Sequence, residues 1–221
     1  MNKWKRRFVN YPKIISRKLH LYRKFTRKTV PYRKNLYTIK GLRGSGTNFL
    51  QSILDQQEQN WVEPYWKHDV IDDELQYYQS HDIEVHFIYK NFFSWLLSLR
   101  KYSWHMNIKD RSIESLLTEP IYSFINQPYL SYVYDLNEGD KFDSYKNAME
   151  MYCVKNKKFN KIANQIYSYE SLLKEGRVAD TVFEFNEDRK KYYLDQQYMQ
   201  EYTTDQVEMV NDYFVECSFT M

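Results

Sequence analysis

Three of the chain's five glycines, Gly41, Gly44 and Gly46, fall within six residues. They follow Leu36 to Lys40 (Leu-Tyr-Thr-Ile-Lys), which reads as a short strand. They precede Asn48, after which Phe49, Leu50, Ile53 and Leu54 recur at helix-face spacing. A strand that turns through glycines into a helix can aim backbone N–H groups at an anion. No Cβ obstructs the approach, and the helix N-terminus adds partial positive charge. Segment 41–48 is therefore read as a phosphate cradle and not as an ordinary turn.

The rest of the chain continues the alternation. Residues 61–66 read as a short strand. Glu84 to Tyr89 reads as a mostly apolar strand of the kind buried on both faces, with a helix from about Phe92 to Tyr102 directly after it. Residues 145–158 read as helix, 165–169 as strand and 170–175 as helix. From about Lys191 the tail reads as one or two helices, the last capped by Thr203 or Thr204. This pattern predicts an α/β domain with a central parallel sheet flanked by helices. With 221 residues, 43% of them hydrophobic, the chain is long enough for one such core and too short for two. No repeat or linker interrupts it, so residues 35–221 are expected to form a single domain. The longest uncharged apolar stretch is shorter than the ~20 residues of a membrane span, and no secretory leader pattern is seen. Two cysteines, Cys153 and Cys217, make no disulfide framework, and no His/Cys spacing suits zinc, so a cytoplasmic setting without a metal is expected.

Charge is distributed as unevenly as glycine. Residues 1–34 carry thirteen Lys/Arg and no acid, whereas the remaining residues carry a net −10. A basic arm of this kind binds anionic partners: an anionic membrane face or an acidic polymer, with nucleic acid the less favoured choice. Within it, residues 13–28 have the interleaved apolar and basic residues of a helix lying on a membrane surface, consistent with a peripheral location; a solvated extension is the alternative.

The type of cradle follows from what is missing. A triphosphate loop reads G-x-x-x-x-G-K-[ST]. Gly41 and Gly46 have that separation, but Thr47 stands where the lysine belongs. That lysine neutralises the terminal phosphates, so its absence counts against a kinase or ATPase. Ser45-Gly46-Thr47, after a strand and before a helix carrying Phe49, resembles the 5′-phosphosulfate loop of sulfotransferases that use 3′-phosphoadenosine 5′-phosphosulfate (PAPS). The resemblance implies the P-loop-like sulfotransferase fold. It also implies that the amides of Gly44 to Asn48 and the hydroxyls of Ser45 and Thr47 hold the 5′-phosphosulfate, with Phe49 against the adenine. The family has Lys or Arg immediately before Ser-Gly-Thr; here Gly44 is there, and Arg43 one place further back is the residue to reach the sulfuryl group.

A second family motif places a basic residue after a strand and a serine eight positions on, together holding the 3′-phosphate at a helix start. Lys90 follows Val85–Tyr89 and Ser98 stands eight residues later. A third segment, Ile166 to Leu173, resembles the family's "YEDL" strand-to-helix turn and would set Tyr169 near the adenine edge. The family's basic glycine loop near the C-terminus has no counterpart; Arg189, Lys190 and Lys191 are the nearest candidates. Between the two phosphate motifs, His68 stands where the family carries its catalytic base, and an imidazole titrating near neutrality suits that task. Lys67 is the candidate to stabilise charge on the sulfuryl oxygens, although the family's lysine commonly lies two residues before the histidine. His86, inside a strand, reads as a core histidine, and the acidic run Asp69, Asp72, Asp73 and Glu74 as a solvated helix start. Trp95, Tyr102, Trp104, Tyr122, Phe124, Tyr129, Tyr132 and Tyr134 are candidates to line an acceptor cleft, since flat rings stack on sugars.

The resemblance implies a PAPS-dependent sulfotransferase acting on a hydroxyl or amine of an acceptor, a small molecule or glycan. The alternatives are a divergent P-loop nucleotide kinase, or a binding protein driven by the basic arm with a degenerate nucleotide site.

Overall fold

A computed structural model of the chain describes residues 35–57, 60–63, 67–70, 74–101, 106–107, 110–124, 142–178, 181–183 and 185–217. The basic arm lies outside these residues, as do Trp66, Asp72 and Asp73 and, of the cleft candidates, Tyr102, Trp104, Tyr129, Tyr132 and Tyr134.

The strand expected before the glycines is present with the expected limits, β1 (Leu36–Lys40). The loop leads into α1 (Thr47–Leu54), followed by β2 (Asn60–Trp61), α2 (Glu74–Ser80), β3 (Ile83–Tyr89) and α3 (Phe92–Lys101). β2 is shorter than the 61–66 expected. Its ladder reaches Val62, whose N–H donates to the Tyr37 carbonyl at 2.8 Å, and residues 64–66 lie outside the described residues. Then come β4 (Met106–Asn107), α4 (Ile113–Thr118), β5 (Ile121–Phe124), β6 (Phe142–Tyr145) and α5 (Ala148–Ile162). The last part comprises β7 (Gln165–Ser168), α6 (Tyr169–Glu175), β8 (Arg177–Val178), β9 (Thr181–Val182), α7 (Glu187–Leu194), a 3-10 turn over Gln197–Glu201 and α8 (Thr204–Glu216).

Four strands form the central sheet in the order β2-β1-β3-β7, and every pairing is parallel. Successive residues of β3 face opposite sides. Phe87 enters a core with Phe92, Trp95, Leu96, Leu116, Phe159 and Val210, from the helices of one face. Ile88 enters the other, with Leu50, Ile53, Tyr169 and Leu172. Both faces are thus covered, which is why the strand reads as continuously apolar. The architecture is α/β with a central parallel sheet flanked by helices. In such sheets, ligands lie outside the carboxyl ends of the strands where the winding direction reverses. Here that place is the end of β1 and β3, with β2 wound to one side and β7 to the other.

Local signals set the helix ends. Asn147 caps α5 by accepting from the Glu150 N–H, which moves the helix start from the expected 145 to Ala148 and leaves Tyr145 in a strand. Ser168 caps α6 in the same way, and Thr203 and Gln206 form a reciprocal capping box on α8. A second, antiparallel sheet, β4-β5-β6, was not expected from the sequence. Its strands are two to four residues long, and β5 finds its partner β6 across residues 125–141, so no local pattern announces it. No described helix is long and apolar enough to cross a membrane.

Candidate functional site

The glycine loop sits at the end of β1, and the other segments singled out from the sequence converge on it. Gly44 (φ +85°) lies against the second motif: a Cβ there would sit 2.9 Å from the Ser98 Cβ. Gly46 (φ +104°) lies against the third: a Cβ there would sit 2.6 Å from the Tyr169 ring. Both backbones are left-handed, so glycine is required twice over, by φ and by space. Gly46 is also the N-cap of α1 and supplies no capping side chain, and the first turn holds no acid. Ser45 is 1% exposed, and its Oγ has no hydrogen-bond partner. An unpaired buried hydroxyl costs about 1–3 kcal/mol. In a loop opening on an uncapped helix, such a hydroxyl is free to donate to a ligand oxygen. Thr47 is buried beside it.

The second cluster stands at the end of β3. Lys90 is only 3% exposed. Its Nζ donates to Ser98 Oγ and to the Tyr193 hydroxyl, both at 3.0 Å, and lies 4.2 Å from the Tyr193 ring centre and 5.0 Å from that of Tyr169. Burial pushes the Lys90 pKa down, and the Tyr193 oxygen and the Glu170 carboxylate oppose that. The Arg189 guanidinium adds to the lowering, and it acts on the Tyr169 hydroxyl as well. Arg189 therefore belongs to this cluster, whereas no contact brings Lys190 or Lys191 to it; Lys190 pairs with Glu187.

One expectation needs correction: the start of α3 is not open to an anion. Glu170 accepts from the Asn91 N–H at 3.1 Å and from Ser94 Oγ at 3.1 Å, and Asn91 Oδ1 accepts from the Phe93 N–H at 3.0 Å. A carboxylate from α6 already occupies that helix terminus. An anion placed here would meet the Lys90, Tyr193 and Arg189 side chains, with Ser98 orienting Lys90.

Lys67 and His68 reach the loop from a segment tied to it by the Gly41 N–H, which donates to the Lys67 carbonyl at 3.0 Å. Their side chains diverge from a turn, one to α1 and the other to the Gly41 carbonyl. Lys67 Nζ donates to Asn48 Oδ1 at 2.5 Å in the first turn of α1. Its pKa is pushed down by burial, which Glu63 opposes and Arg43 reinforces, so Arg43, Asn48 and Lys67 are neighbours. His68 Nδ1 lies 2.7 Å from the Gly41 carbonyl. That oxygen can only accept, so Nδ1 carries a proton and, in the neutral ring, Nε2 is the basic nitrogen. Arg43, His68, Trp95, Ser123 and Lys155 border a cavity of about 10 Å³, room for about one water.

Phe49 packs edge-on against Tyr169, Phe183 and Phe185, with ring centres 5.6, 5.2 and 5.1 Å away. It makes the rim of the loop aromatic. Trp95 is core, and its Nε1 donates to the Arg43 carbonyl at 3.0 Å, bracing the loop; Tyr122 is exposed. His86 is buried on Tyr167, as expected of a core histidine. The acidic run is a second correction: Asp69 and Glu74 are buried and paired with Lys155 and Lys40, not solvated. Sequence reading missed Tyr193 and Tyr152, whose hydroxyl donates to the Lys90 carbonyl at 2.5 Å. Tyr193 had one available signal, its place one helical turn after Arg189. Among the described residues no cluster of His, Cys, Asp or Glu could hold a metal.

No protein-family model matches this sequence, and no curated protein or solved structure matches it.

Proposed function

We propose that this protein is a PAPS-dependent sulfotransferase with the P-loop-like sulfotransferase fold. One observation carries the reading. Two cation- or amide-lined clusters stand at the ends of β1 and β3, in contact through Gly44 and Ser98, while Thr47 replaces the lysine that a triphosphate loop needs. A nucleotide with a charged group at each end suits this pair better than one with a single triphosphate tail.

The residues fit such a ligand. The buried, unpartnered Ser45 Oγ, the uncapped start of α1 and Thr47 would hold the 5′-phosphosulfate. Lys90, oriented by Ser98, would hold the 3′-phosphate with Tyr193 and Arg189, and Phe49 and Tyr169 would flank the adenine. When bound, PAPS supplies a sulfuryl group on a phosphate leaving group. Lys67 would stabilise charge on the sulfuryl oxygens, and Arg43 would reach the same group or the oxygen that bridges it to the phosphate. Nε2 of His68 would take the proton from the acceptor oxygen or nitrogen. The acceptor is a hydroxyl- or amine-bearing molecule, with a carbohydrate favoured. Cytoplasmic residence, with the basic arm on an anionic membrane face or acidic polymer, belongs to the same proposal.

Titration calorimetry of adenosine 3′,5′-bisphosphate against ATP tests it. Saturable binding of the bisphosphate in preference to ATP is expected. Preference for ATP would favour the kinase alternative, and binding of neither would sink the sulfotransferase reading.

A further inference from the structure

Four charged groups that this chemistry does not use lie buried behind His68. Lys40 ends β1, Lys155 stands midway along α5, Asp69 follows His68 and Glu74 opens α2; all are 0–3% exposed. They form one connected set. Lys40 pairs with Glu74, which also accepts from the Tyr78 hydroxyl at 2.7 Å. Lys40 Nζ donates to the Asp69 carbonyl at 3.0 Å. Lys155 Nζ donates to Ser123 Oγ at 3.0 Å and to the His68 carbonyl at 3.5 Å, and lies 3.6 Å from Asp69 Oδ1. That carboxylate oxygen accepts from the Val70 N–H at 2.9 Å.

Stability alone does not account for such a set. Desolvating four charges offsets much of their mutual attraction, and well-packed apolar residues often serve stability as well or better. An apolar side chain cannot, however, donate to a backbone carbonyl. These two ammonium groups donate to the carbonyls of consecutive residues, His68 and Asp69. On its other side the segment is tied to Gly41 through the Lys67 carbonyl and the His68 ring. His68 is therefore gripped from the loop in front and by lysines from β1 and α5 behind.

We infer that Lys155, with Asp69 as its counter-charge, is a positioning residue that holds His68 on the Gly41 carbonyl and thereby keeps Nε2 as its basic nitrogen. This rests on the reading of His68 as the base. The test uses the full chain and the double variant K155M/D69N, which removes both charges together. The readouts are the His68 ring nitrogens by NMR, PAPS hydrolysis with water as acceptor, and calorimetry with adenosine 3′,5′-bisphosphate.

In the unmodified protein the ring should show one tautomer, protonated at Nδ1. In the double variant the two ring nitrogens should move toward a mixture of tautomers. Hydrolysis should fall about tenfold or more, while bisphosphate affinity stays within about twofold. An unchanged ring spectrum, or affinity that falls in step with hydrolysis, overturns the inference. Should the double variant not fold, Asp69→Asn alone is expected to move the ring the same way by less, and an unchanged ring there overturns it equally. A parent chain that binds no bisphosphate defeats the sulfotransferase reading, while the ring spectra still decide the positioning role.

Discussion

At the scale of single residues, the cluster proposed to hold the 3′-phosphate separates its members by what each has left to offer. Lys90 has two of its three donors engaged, by Ser98 and Tyr193. The Ser98 hydroxyl proton goes to the Ser94 carbonyl at 3.1 Å. The Tyr193 oxygen accepts from Lys90, so its own proton can go to a phosphate oxygen. Lys90→Ala should therefore weaken adenosine 3′,5′-bisphosphate by about 10–100-fold, the worth of a charge-assisted contact of ~1.5–3 kcal/mol. Tyr193→Phe should weaken it by about tenfold or less, the worth of a neutral hydrogen bond. Neither should change the affinity for adenosine 5′-phosphate, and calorimetry with both nucleotides checks the pair. His68→Ala should separate binding from chemistry: turnover of PAPS falls by about 100-fold or more, as loss of a general base does, with nucleotide affinity nearly intact. A variant retaining most of its turnover would remove His68 from the role. Lys90 and Ser98 could be paired from the sequence because the lysine follows a strand and the serine stands eight residues on in the next helix, whereas the strand expected just before His68 ends at Trp61. Tyr193 was not legible, being one of 22 tyrosines that only folding brings to Lys90.

At the scale of elements, the junction of β1, the loop and α1 is the most constrained part of the fold. Gly46→Ala puts a Cβ on the Tyr169 ring in a left-handed backbone. It should cost about 1–3 kcal/mol in strain, read as a lower denaturation midpoint, and nucleotide affinity should fall with it because α1 and α6 are forced apart. A variant with unchanged midpoint and affinity would show that the contact does not shape the site. Of the parallel sheet and its cover, β1, β3, β7, α1, α3, α5 and α6 were legible because each carries its own periodicity or cap, whereas β2 is shorter than expected, α2 was anticipated only as a helix start and α4 not at all. The antiparallel β4-β5-β6 sheet was not, since its short strands have no periodicity of their own and are defined by their partners. The acidic run was misread for a related reason. Asp69 and Glu74 look like solvated acids until β1 and α5 bring Lys40 and Lys155 to them, 29 or more residues away along the chain.

At the scale of the whole molecule, the abundance of tyrosine sets an alkaline limit. Burial pushes the hydroxyls of Tyr167, Tyr169 and Tyr198 up to about 12, and raises those of Tyr37, Tyr145 and Tyr202 further. A tyrosine ionises near pH 10 in the unfolded chain. Above that pH the unfolded state binds fewer protons than the native one, so stability falls as pH rises and is lost through the folded values near 12. The buried lysines act in the opposite sense, since their lowered pKa values make stability rise with pH up to about 10.5. Denaturant midpoints measured from pH 9 to 12 should decline above pH 10, together with a late rise in phenolate absorbance. A flat profile would contradict the burial of these hydroxyls.

The α/β alternation, the place of the glycine loop and the residue types at the two motifs read as phosphate sites could all be taken from the chain's residues alone. These depend on short-range rules: period, capping and the steric freedom of glycine. Folding alone brings Gly44 to Ser98 and Gly46 to Tyr169, and sets Glu170 at the start of α3. It also brings Tyr193 and Arg189 of α7 to Lys90, and buried lysines to the His68 segment. Those arrangements arise from contacts between residues far apart in the chain, where burial changes what a charge or hydroxyl is worth, and no local pattern of residues encodes that proximity.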